Sequence, residues 1–305
     1  MSLTALISNI SRGSLHDGKG IRTVVYFKGC NLRCRWCHNP EALSRKKDIL
    51  YAPVKCIGCG KCASVCPEHH GFNGKEHTYF RKDCRRCGSC AEICPTGALS
   101  VCGKEMSVEE VFAEIKKDRH YYAASDGGVT LSGGECLLQA DFCAALLKKC
   151  RAEKIHTAIE SAFFTDEKNM EKVLPFVDFV FADLKIADPQ KHRRYTGGDN
   201  KKIIENIRIM SSTVKEATIR IPVIPGVNDG EEDMEALGKI IGSFADGIKS
   251  VELLKYNILA SSKYASLGKE YCSFGAETQS NEKMEILKNA LRKIVKNIPV
   301  FFERS

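Results

Sequence analysis

The sequence predicts an α/β protein: a partial (β/α)6 TIM-like barrel with a cysteine-rich domain inserted after its first strand. Strand-like and helix-like patterns alternate from about residue 107 onwards, which favours parallel strands joined by right-handed crossovers. Polar residues follow the ends of most strands, and 12 of the 16 cysteines lie between positions 30 and 102. We therefore assign residues 1–50 and 104–305 to the barrel and residues 51–103 to the insert.

Six apolar segments rich in β-branched residues account for the barrel strands. They are residues 23–27, 128–132, 156–161, 179–185, 217–224 and 250–258, with 299–302 as a candidate for one more short strand. A helix starts at Ser107, which can form a capping box with Glu110 ahead of an i, i+3, i+4, i+7 apolar stripe. Further helices are predicted at 138–152, 166–174, in pieces up to 211, at 231–243 and at 281–296.

Length and composition are those of an ordinary globular chain, apart from the cysteines. The 305 residues are 43% hydrophobic and 28% charged. No apolar run approaches the roughly 20 residues that a bilayer span needs, and the N-terminus lacks a signal-peptide pattern. We therefore expect a cytoplasmic protein that does not bind membranes. In that reducing compartment, 16 cysteines indicate metal or redox chemistry and not disulfides.

The positive charge is concentrated in the first third of the chain. Residues 1–105 contain 17 lysines and arginines against 8 acidic residues, whereas the remainder contains 29 against 30. Nucleic acid is not the expected partner, because anionic thiolates would offset much of this charge and aromatic residues are not interleaved with the basic ones. An acidic electron carrier is the partner that the charge asymmetry favours.

Two runs of four cysteines share the spacing C-x2-C-x2-C-x3-C-P, which is the pattern of bacterial two-cluster ferredoxins. In that pattern the fourth cysteine of each run binds the cluster of the other run. The resulting first set is Cys56, Cys59, Cys62 and Cys94, and the second set is Cys66, Cys84, Cys87 and Cys90. Structural zinc is the alternative, although zinc sites usually separate two C-x2-C pairs by a longer loop. The runs therefore predict two [4Fe-4S] clusters that relay electrons.

A third cysteine motif directly follows the first barrel strand. Cys30, Cys34 and Cys37 are spaced C-x3-C-x2-C. Three thiolates can hold a four-iron cluster and leave one iron without a protein ligand, so that a substrate or cofactor can bind it. The alternatives are a three-cysteine zinc site or incidental cysteines. Because the motif follows a strand, we expect it at the mouth of the barrel, where ligands bind in such folds.

The segment HDGKGIRTVVYFKGCNLRCRWCHNPE resembles the radical S-adenosylmethionine (SAM) enzymes, and specifically the activating enzymes of glycyl radical enzymes. Later segments are similar to that family in the same order: GGVTLSGGE, HTAIES, ADLK, RIPVIPGVND and KYASLGKEY. The chain looks like a pyruvate formate-lyase activating enzyme with a ferredoxin-type insert. It departs from the family at Lys19 and Lys255, where proline is common, and at Asn257, where histidine is usual.

The resemblance implies three [4Fe-4S] clusters and SAM as cofactors. SAM would chelate the open iron of the cluster on the three-cysteine motif, with Ser132 and the turn after it against the SAM amino group. Further SAM contacts are implied for Trp36, His38, Gly133, Gly134, Glu135, Asp183, Lys185, Arg220 and Asn257. A monovalent cation, Na⁺ or K⁺, would bind at Glu160, Ser161 and Asp183.

Several other cysteines and histidines are expected to have structural roles. Cys136 is interpreted as a small side chain near the site, with a redox or tuning role as the alternative. His69 and His70 are expected to be solvated loop residues in the insert. Core packing is the expectation for Cys102, Cys143, Cys150 and Cys272.

The function implied by the resemblance is activation of a partner glycyl radical enzyme. A 5′-deoxyadenosyl radical from SAM would abstract a Cα hydrogen from a glycine of the partner, with a flavodoxin or ferredoxin as reductant. One alternative is a radical SAM reaction on a small molecule, which an enclosed polar pocket would favour. Others are a ferredoxin-like electron carrier without chemistry of its own and a zinc-stabilised interaction protein. The identity of the partner enzyme is left open.

Overall fold

A computed structural model describes residues 3–244, 247–275 and 277–303. Its strands in chain order are β1 (Thr4–Ser14), β2 (Arg22–Phe27), β3 (Asp48–Tyr51), β4 (His70–Asn73), β5 (Glu76–Tyr79), β6 (Leu99–Cys102), β7 (Lys104–Ser107), β8 (Gly128–Gly133), β9 (His156–Ser161), β10 (Phe179–Asp183), β11 (Ala217–Val223), β12 (Ile248–Lys255) and β13 (Val300–Phe301). Nine of them form one sheet in the order β13-β12-β11-β10-β9-β8-β2-β1-β7.

The sheet is parallel from β2 through β8 to β13, so the six predicted strands are confirmed and β13 adds a seventh. In the part of the chain that the structure describes, the edge strands β7 and β13 do not pair, so the sheet is open. The prediction lacked β1 and β7, which extend the sheet with antiparallel pairing. Only Ala5 and Ile7 are buried along the 11 residues of β1, too few to give a clear alternating pattern.

The helices include one at each position that the apolar periodicity predicts, and four further short ones, at residues 61–65, 89–92, 119–125 and 261–266, that were not predicted. In chain order the helices are α1 (Lys61–Val65), α2 (Ser89–Glu92), α3 (Val108–Lys116), α4 (Arg119–Ser125), α5 (Ala140–Ala152), α6 (Glu167–Val173), α7 (Pro189–Thr196), α8 (Lys201–Thr213), α9 (Glu231–Ile241), α10 (Ser261–Ser266) and α11 (Asn281–Val295). The capping box of Ser107 and Glu110 is present at the start of α3. No helix among the described residues has both the length and the apolar character to cross a membrane.

The main core lies between the sheet and the helices. Cys143 and Cys150 on α5 are fully buried in it, as expected, and Cys102 at the end of β6 is also buried. Cys272 does not follow that expectation. It is half-buried, and Arg35 Nη2 donates to its Sγ at 3.5 Å, because the segment after α10 runs over the surface of the three-cysteine loop.

Two small antiparallel pairs form the cysteine-rich region: β4 with β5 inside the insert, and β6 of the insert with β3, which begins at Asp48 just before it. Each four-cysteine run enters a short helix, α1 or α2, through a glycine in the left-handed region: Gly60 with φ +73° and Gly88 with φ +101°. The two runs are therefore alike in backbone as well as in spacing. Cys62 and Cys90, the third cysteines of the runs, are buried in one small cluster with Ile49 and Leu99.

Candidate active site

A cavity of about 580 Å³ lies at the carboxyl ends of the parallel strands. Its walls come from the loop after β2 and from the ends of β8, β9, β10 and β12. Most predicted site residues line it: Cys30, Cys34, Trp36, Cys37, His38, Gly133, Gly134, Glu160, Ser161, Asp183, Lys185 and Asn257. Among the described residues, Glu135 and Arg220 are not part of this lining. The structure thus brings together segments that are more than 200 residues apart in sequence.

Backbone hydrogen bonds hold the three-cysteine loop on two sides. Gly29 N donates to Ala42 O at 2.6 Å, which closes the loop onto the turn after the motif. Arg33 N donates to Thr196 O, also at 2.6 Å, at the end of α7. These bonds fix the backbone of the motif independently of any metal.

The three thiols of the motif fit a cluster by their chemistry and their grouping. Burial raises the pKa of Cys30 and Cys34 to about 12 and that of Cys37 to about 11, and each thiol interacts electrostatically with another of the three. A bound iron would supply the positive charge that favours the thiolate form. Three soft sulfur donors on a cavity wall match a [4Fe-4S] cluster with one open iron.

The two glycines after β8 are needed for close backbone packing. Gly133 has φ +114°, and a Cβ there would lie 2.3 Å from Phe27 N. A Cβ on Gly134 would lie 2.3 Å from Gly29 O, at the entry to the three-cysteine loop. The turn therefore sets how closely β8 approaches the loop, while its backbone faces the cavity.

Glu135, the last residue of this turn, holds strands together behind the cavity wall. Its carboxylate accepts hydrogen bonds from Ser161 Oγ (2.8 Å), Ala162 N (3.1 Å) and Leu137 N (3.2 Å). Burial nevertheless raises its pKa to about 7. Its contact with SAM stays a prediction. The neighbouring Cys136 is fully buried, as the small-side-chain interpretation expects.

We expect Gly134→Ala to lower the free energy of unfolding by about 1–3 kcal/mol, because the added methyl group must displace backbone. Urea unfolding of the metal-free protein measures this. Gly242→Ala at the end of α9 is the control, since the atom nearest to its Cβ is 3.3 Å away. Equal stability of the two variants would contradict the close-packing explanation.

A buried ion network joins three strands at the cavity. Arg220 on β11 donates from Nη1 to Glu160 Oε1 and from Nε to Glu252 Oε2, both at 2.8 Å, and its guanidinium lies 3.5 Å from the centroid of the Phe181 ring. Ser132 Oγ donates to Glu160 Oε2 at 2.6 Å. Burial opposes ionisation of Glu160, but the charge of Arg220 outweighs it and lowers the pKa. Glu252, which pairs with Arg220 across β11 and β12, was not among the predicted site residues because it is an isolated acid in the apolar segment SVELLKY.

Asp183, at the end of the neighbouring strand β10, forms an ion pair with Lys185, whose Nζ lies 2.7 Å from Asp183 Oδ2. Burial of Lys185 favours its neutral form. The negative charge of Asp183, followed by that of the Cys34 thiolate, outweighs burial, and the pKa of Lys185 is raised. The pKa of Asp183 is raised by burial and by Glu160 in spite of Lys185. Two carboxylates that repel each other in this way fit a cation site. Ser161, the third predicted ligand, directs its hydroxyl to Glu135 instead.

The mouth of the cavity is formed by the three-cysteine loop and the segment after β12. Asn257 occupies the position where the family usually has histidine, and its Oδ1 accepts a hydrogen bond from Leu259 N at 3.1 Å. Lys263 on α10 donates to His38 O at 3.0 Å. Trp36 is buried, and its ring centroid lies 6.0 Å from that of Phe274. Residues after β12 therefore support the loop that carries Trp36 and His38, two of the predicted SAM contacts.

The insert cysteines group as the first and second sets. One small cavity is lined by all four cysteines of the first set, including the distant Cys94. In the second set, burial and then Cys84 and Cys87 raise the pKa of Cys66, although Cys66 belongs to the other run. Burial, with Cys84, Cys66 and Cys87, raises the pKa of Cys90 to about 11. Both groupings agree with the exchange of the fourth cysteine between the runs.

The expectation for His70 is wrong: it is a buried residue of β4 and not a solvated loop residue. Its Nδ1 lies 2.9 Å from Nε2 of His77, and the His77 ring lies 3.7 Å from Sγ of both Cys56 and Cys62. Burial lowers the pKa of His70 to about 4. The ligand atoms of Cys62, His70 and His77 could also hold a single metal ion. The sequence offered only weak signals, since His70 and His77 occur in polar hairpin strands.

The model of the radical SAM superfamily matches residues 24–237. The (2S)-3-sulfopropanediol dehydratase activating enzyme of Klebsiella oxytoca is 40% identical over 273 residues, covering 87% of this chain and 86% of that protein. The trans-4-hydroxy-L-proline dehydratase activating enzyme of Clostridioides difficile is 39% identical over 288 residues, 94% and 95% of the two chains. The benzylsuccinate synthase activating enzyme of Thauera aromatica is 38% identical over 296 residues, 94% of this chain and 89% of that protein.

Solved structures support the fold. QueE from Escherichia coli aligns with a TM-score of 0.51 at 12% identity, covering 99% of this chain and 95% of that chain. SuiB of Streptococcus suis, bound to its precursor peptide SuiA, aligns with a TM-score of 0.55 at 12% identity over 91% of this chain and 48% of that one. The family match and the close relatives agree with the site geometry, and the chain belongs to the radical SAM superfamily, among the activating enzymes of glycyl radical enzymes.

Proposed function

We propose that this protein activates a partner glycyl radical enzyme through the cavity at the strand ends. The observation that carries the proposal is the convergence of the three-cysteine loop with Glu160 of β9, Asp183 of β10 and Glu252 of β12 at one cavity. Cys30, Cys34 and Cys37 would hold the cluster, and the cluster and SAM would supply one-electron cleavage of SAM to methionine and a 5′-deoxyadenosyl radical able to take a Cα hydrogen from a glycine of the partner.

The charges of the cavity match those of SAM, which carries a sulfonium, an ammonium and a carboxylate group. Glu160 and Asp183 contribute negative charge to the lining, and Lys185 contributes a positive group close to Cys34. We infer that Lys185 binds the SAM carboxylate and that the backbone at Gly133 and Gly134 approaches the amino group. Glu160 and Asp183 would bind a monovalent cation, which would relieve their mutual repulsion. Arg220 holds Glu160 in place from behind the wall.

The test of this function is hydrogen transfer from a glycine. Under anaerobic conditions, the cluster-loaded, reduced protein is incubated with SAM and a glycine-loop peptide that is deuterated at Cα. We expect deuterium in the 5′-deoxyadenosine that forms, and none with the undeuterated peptide. Deoxyadenosine without deuterium, also when a complete glycyl radical enzyme replaces the peptide, would favour a small-molecule substrate. No deoxyadenosine from fully loaded protein would contradict the proposal.

We further propose that the insert residues 51–103 form a ferredoxin-like domain with one [4Fe-4S] cluster on each cysteine set. The grouping of Cys94 with the first run and of Cys66 with the second supports this. About 12 iron and 12 sulfide ions per chain are expected for three such clusters. One zinc ion with four fewer iron ions would instead favour a mononuclear site at Cys62, His70 and His77.

An acidic flavodoxin or ferredoxin is the proposed reductant, and it would dock beside the first set. Cys59 is exposed there, next to Val54 (96% exposed), Ile57 (60%) and the exposed lysines Lys55 and Lys61. An apolar centre with a basic rim suits an acidic redox protein.

We expect the double charge reversal K55E/K61E to slow reduction by an acidic flavodoxin about tenfold at low ionic strength, with the difference fading in high salt. Stopped-flow absorbance of the clusters measures the rate. The control K148E/K201E makes the same charge change at exposed positions of α5 and α8. Equal slowing by both variants would show a nonspecific effect of net charge and count against this docking surface.

A further inference from the structure

The second cysteine set is tied directly to the barrel. Tyr79 Oη donates to Cys84 Sγ at 3.2 Å, and the Arg81 guanidinium lies 4.5 Å from the centroid of the Tyr79 ring. Arg81 then leaves the insert: its Nη2 donates to Ser266 O, at the end of α10, at 2.6 Å. Its Nη1 donates to Ile49 O on β3, also at 2.6 Å. One arginine therefore connects a cysteine of the second set to a helix of the barrel.

Helix α10 continues this connection to the three-cysteine loop. Lys263, one turn before Ser266, donates to His38 O at 3.0 Å and to Asn39 Oδ1 at 2.8 Å. Tyr264 is buried on the same helix, and burial, followed by the Cys37 and Cys34 thiols, raises its pKa. Helix α10 thus contacts the three-cysteine loop through Lys263. It contacts Arg81 through the backbone oxygen of Ser266.

A second chain of contacts ends near the same loop. The Arg86 backbone N–H donates to Cys84 Sγ at 3.4 Å, and its side chain lies 3.5 Å from Asp48 Oδ1. Asp48 pairs with the buried Lys28 at 2.7 Å, and Lys28 Nζ also donates to Glu41 O in the turn after the motif. Two independent routes therefore link Cys84 to the barrel.

The first set has different surroundings. In the described part of the chain, every residue that lines its cavity lies between positions 56 and 99, within the insert. Two aromatic residues of the insert are also close by: the His77 ring lies 3.7 Å from Sγ of Cys56 and of Cys62, and Tyr51 Oη donates to His77 O at 3.0 Å. Among the described residues, none of the barrel therefore lines the cavity of the first set, in contrast to the links from Cys84.

We propose that the second set is the inner one, next to the three-cysteine loop, that the first set is the outer one, and that Arg81 is the positioning residue that fixes this order. The inference rests on the proposed function, in which both sets hold clusters. It gives the relay a direction: an external one-electron donor is oxidised at the outer set, and the inner set is the last donor before the three-cysteine motif. Only one electron moves in each step, and no bond or proton is transferred.

The order can be tested by magnetic coupling between reduced clusters, which does not depend on activity. The variants C84S and C56S remove the first cysteine of each run. In dithionite-reduced protein, the SAM-responsive cluster is identified by the change of its EPR signal on SAM addition, and its microwave-power saturation is recorded. We expect C84S to lose the fast relaxation of this signal and C56S to retain it. The reverse result, or no change in either variant, would overturn the proposed order.

Iron and sulfide analysis of each sample separates the two levels of inference. If the wild-type protein holds a single cluster, the proposal of three clusters is refuted. If it holds three clusters and the SAM-responsive cluster is coupled to the first set, only the proposed order is refuted. If a serine variant loses both insert clusters, the measurement is made on R81A instead, because this variant leaves all cysteines in place. Its matched control is R85A, an exposed arginine of the same loop.

For R81A with full iron content, we expect weaker relaxation enhancement of the SAM-responsive signal. We also expect its reduction after mixing with flavodoxin to be slower by about tenfold, because small displacements of a reacting group cost one to two orders of magnitude in rate. Reduction of the insert clusters themselves should keep its rate in R81A. R85A should match wild type in both measurements. Unchanged relaxation and rate in R81A would refute its positioning role.

Discussion

Replacing Arg220 with methionine is expected to lower the free energy of unfolding by about 3–5 kcal/mol, the usual cost of removing one partner from a buried ion network. The guanidinium is 6% exposed and pairs with Glu160 and Glu252 at 2.8 Å. Methionine replaces the stem but removes the guanidinium to which both buried carboxylates are hydrogen-bonded. Urea unfolding of the metal-free protein measures the loss, and R208M on the exposed face of α8 is the control.

The loss in R220M should depend on pH in a defined direction. In the wild-type protein the net effect of the site is to lower the pKa of Glu160, so its stabilising contribution is present above the ordinary glutamate pKa and is lost as the pH falls through the folded value. The two proteins should therefore differ most near neutral pH and approach each other in acid. A difference that stays constant down to acidic pH would show that lost packing on Phe181, and not charge, explains the effect.

The barrel could be predicted in large part because its strands are continuous apolar segments that are buried on both faces. Val129, Leu131, Ile159, Ile219 and Ile221 are all fully buried, and such segments give an unambiguous pattern. The antiparallel strand β1 was not predicted, because it lies near the edge of the sheet and has few buried residues. The sequence pattern therefore reveals strands in proportion to how deeply they are buried.

The site shows a different limit. The spacing of the cysteines indicated their grouping, because a short spacing restricts which thiols can share a metal. The partners of Arg220 and the environment of His77 depend on register and packing between distant segments, which no local pattern contains. Glu252 faces Arg220 only because β11 and β12 pair in one register, and His77 reaches Cys56 and Cys62 only through the turn between β4 and β5.

Glycine positions illustrate the same limit at the turn that ends β8. The sequence suggested that Gly133 and Gly134 allow a ligand to approach the backbone. In the structure they are also needed because strand β8 touches Phe27 and Gly29 of the neighbouring strand and loop. A substitution there would disturb the position of the three-cysteine loop before it affected any ligand contact.

The variant K185M is expected to weaken SAM binding to the cluster-loaded protein by about 30-fold or more, because removing one charge of a buried, hydrogen-bonded pair costs at least about 2 kcal/mol. Lys185 lines the cavity, and Asp183 keeps it protonated by raising its pKa. Methionine preserves the length of the side chain but cannot bind a carboxylate. Isothermal titration under anaerobic conditions gives the affinity.

The matched control is K191M, because Lys191 also pairs with an aspartate, Asp233, at 2.9 Å, but lies on α7 outside the cavity lining. It should bind SAM as wild type does. Loss of affinity in both variants would indicate a general effect of charge, and unchanged affinity in K185M would remove Lys185 from the proposed SAM site.

Unfolding of the metal-free protein distinguishes an effect on SAM binding from an effect on stability. K185M leaves Asp183 beside Glu160 without the Lys185 ammonium, so the raised pKa of Asp183 should rise further. Protonation of that carboxyl limits the loss of stability, so the defect should appear in affinity far more than in unfolding.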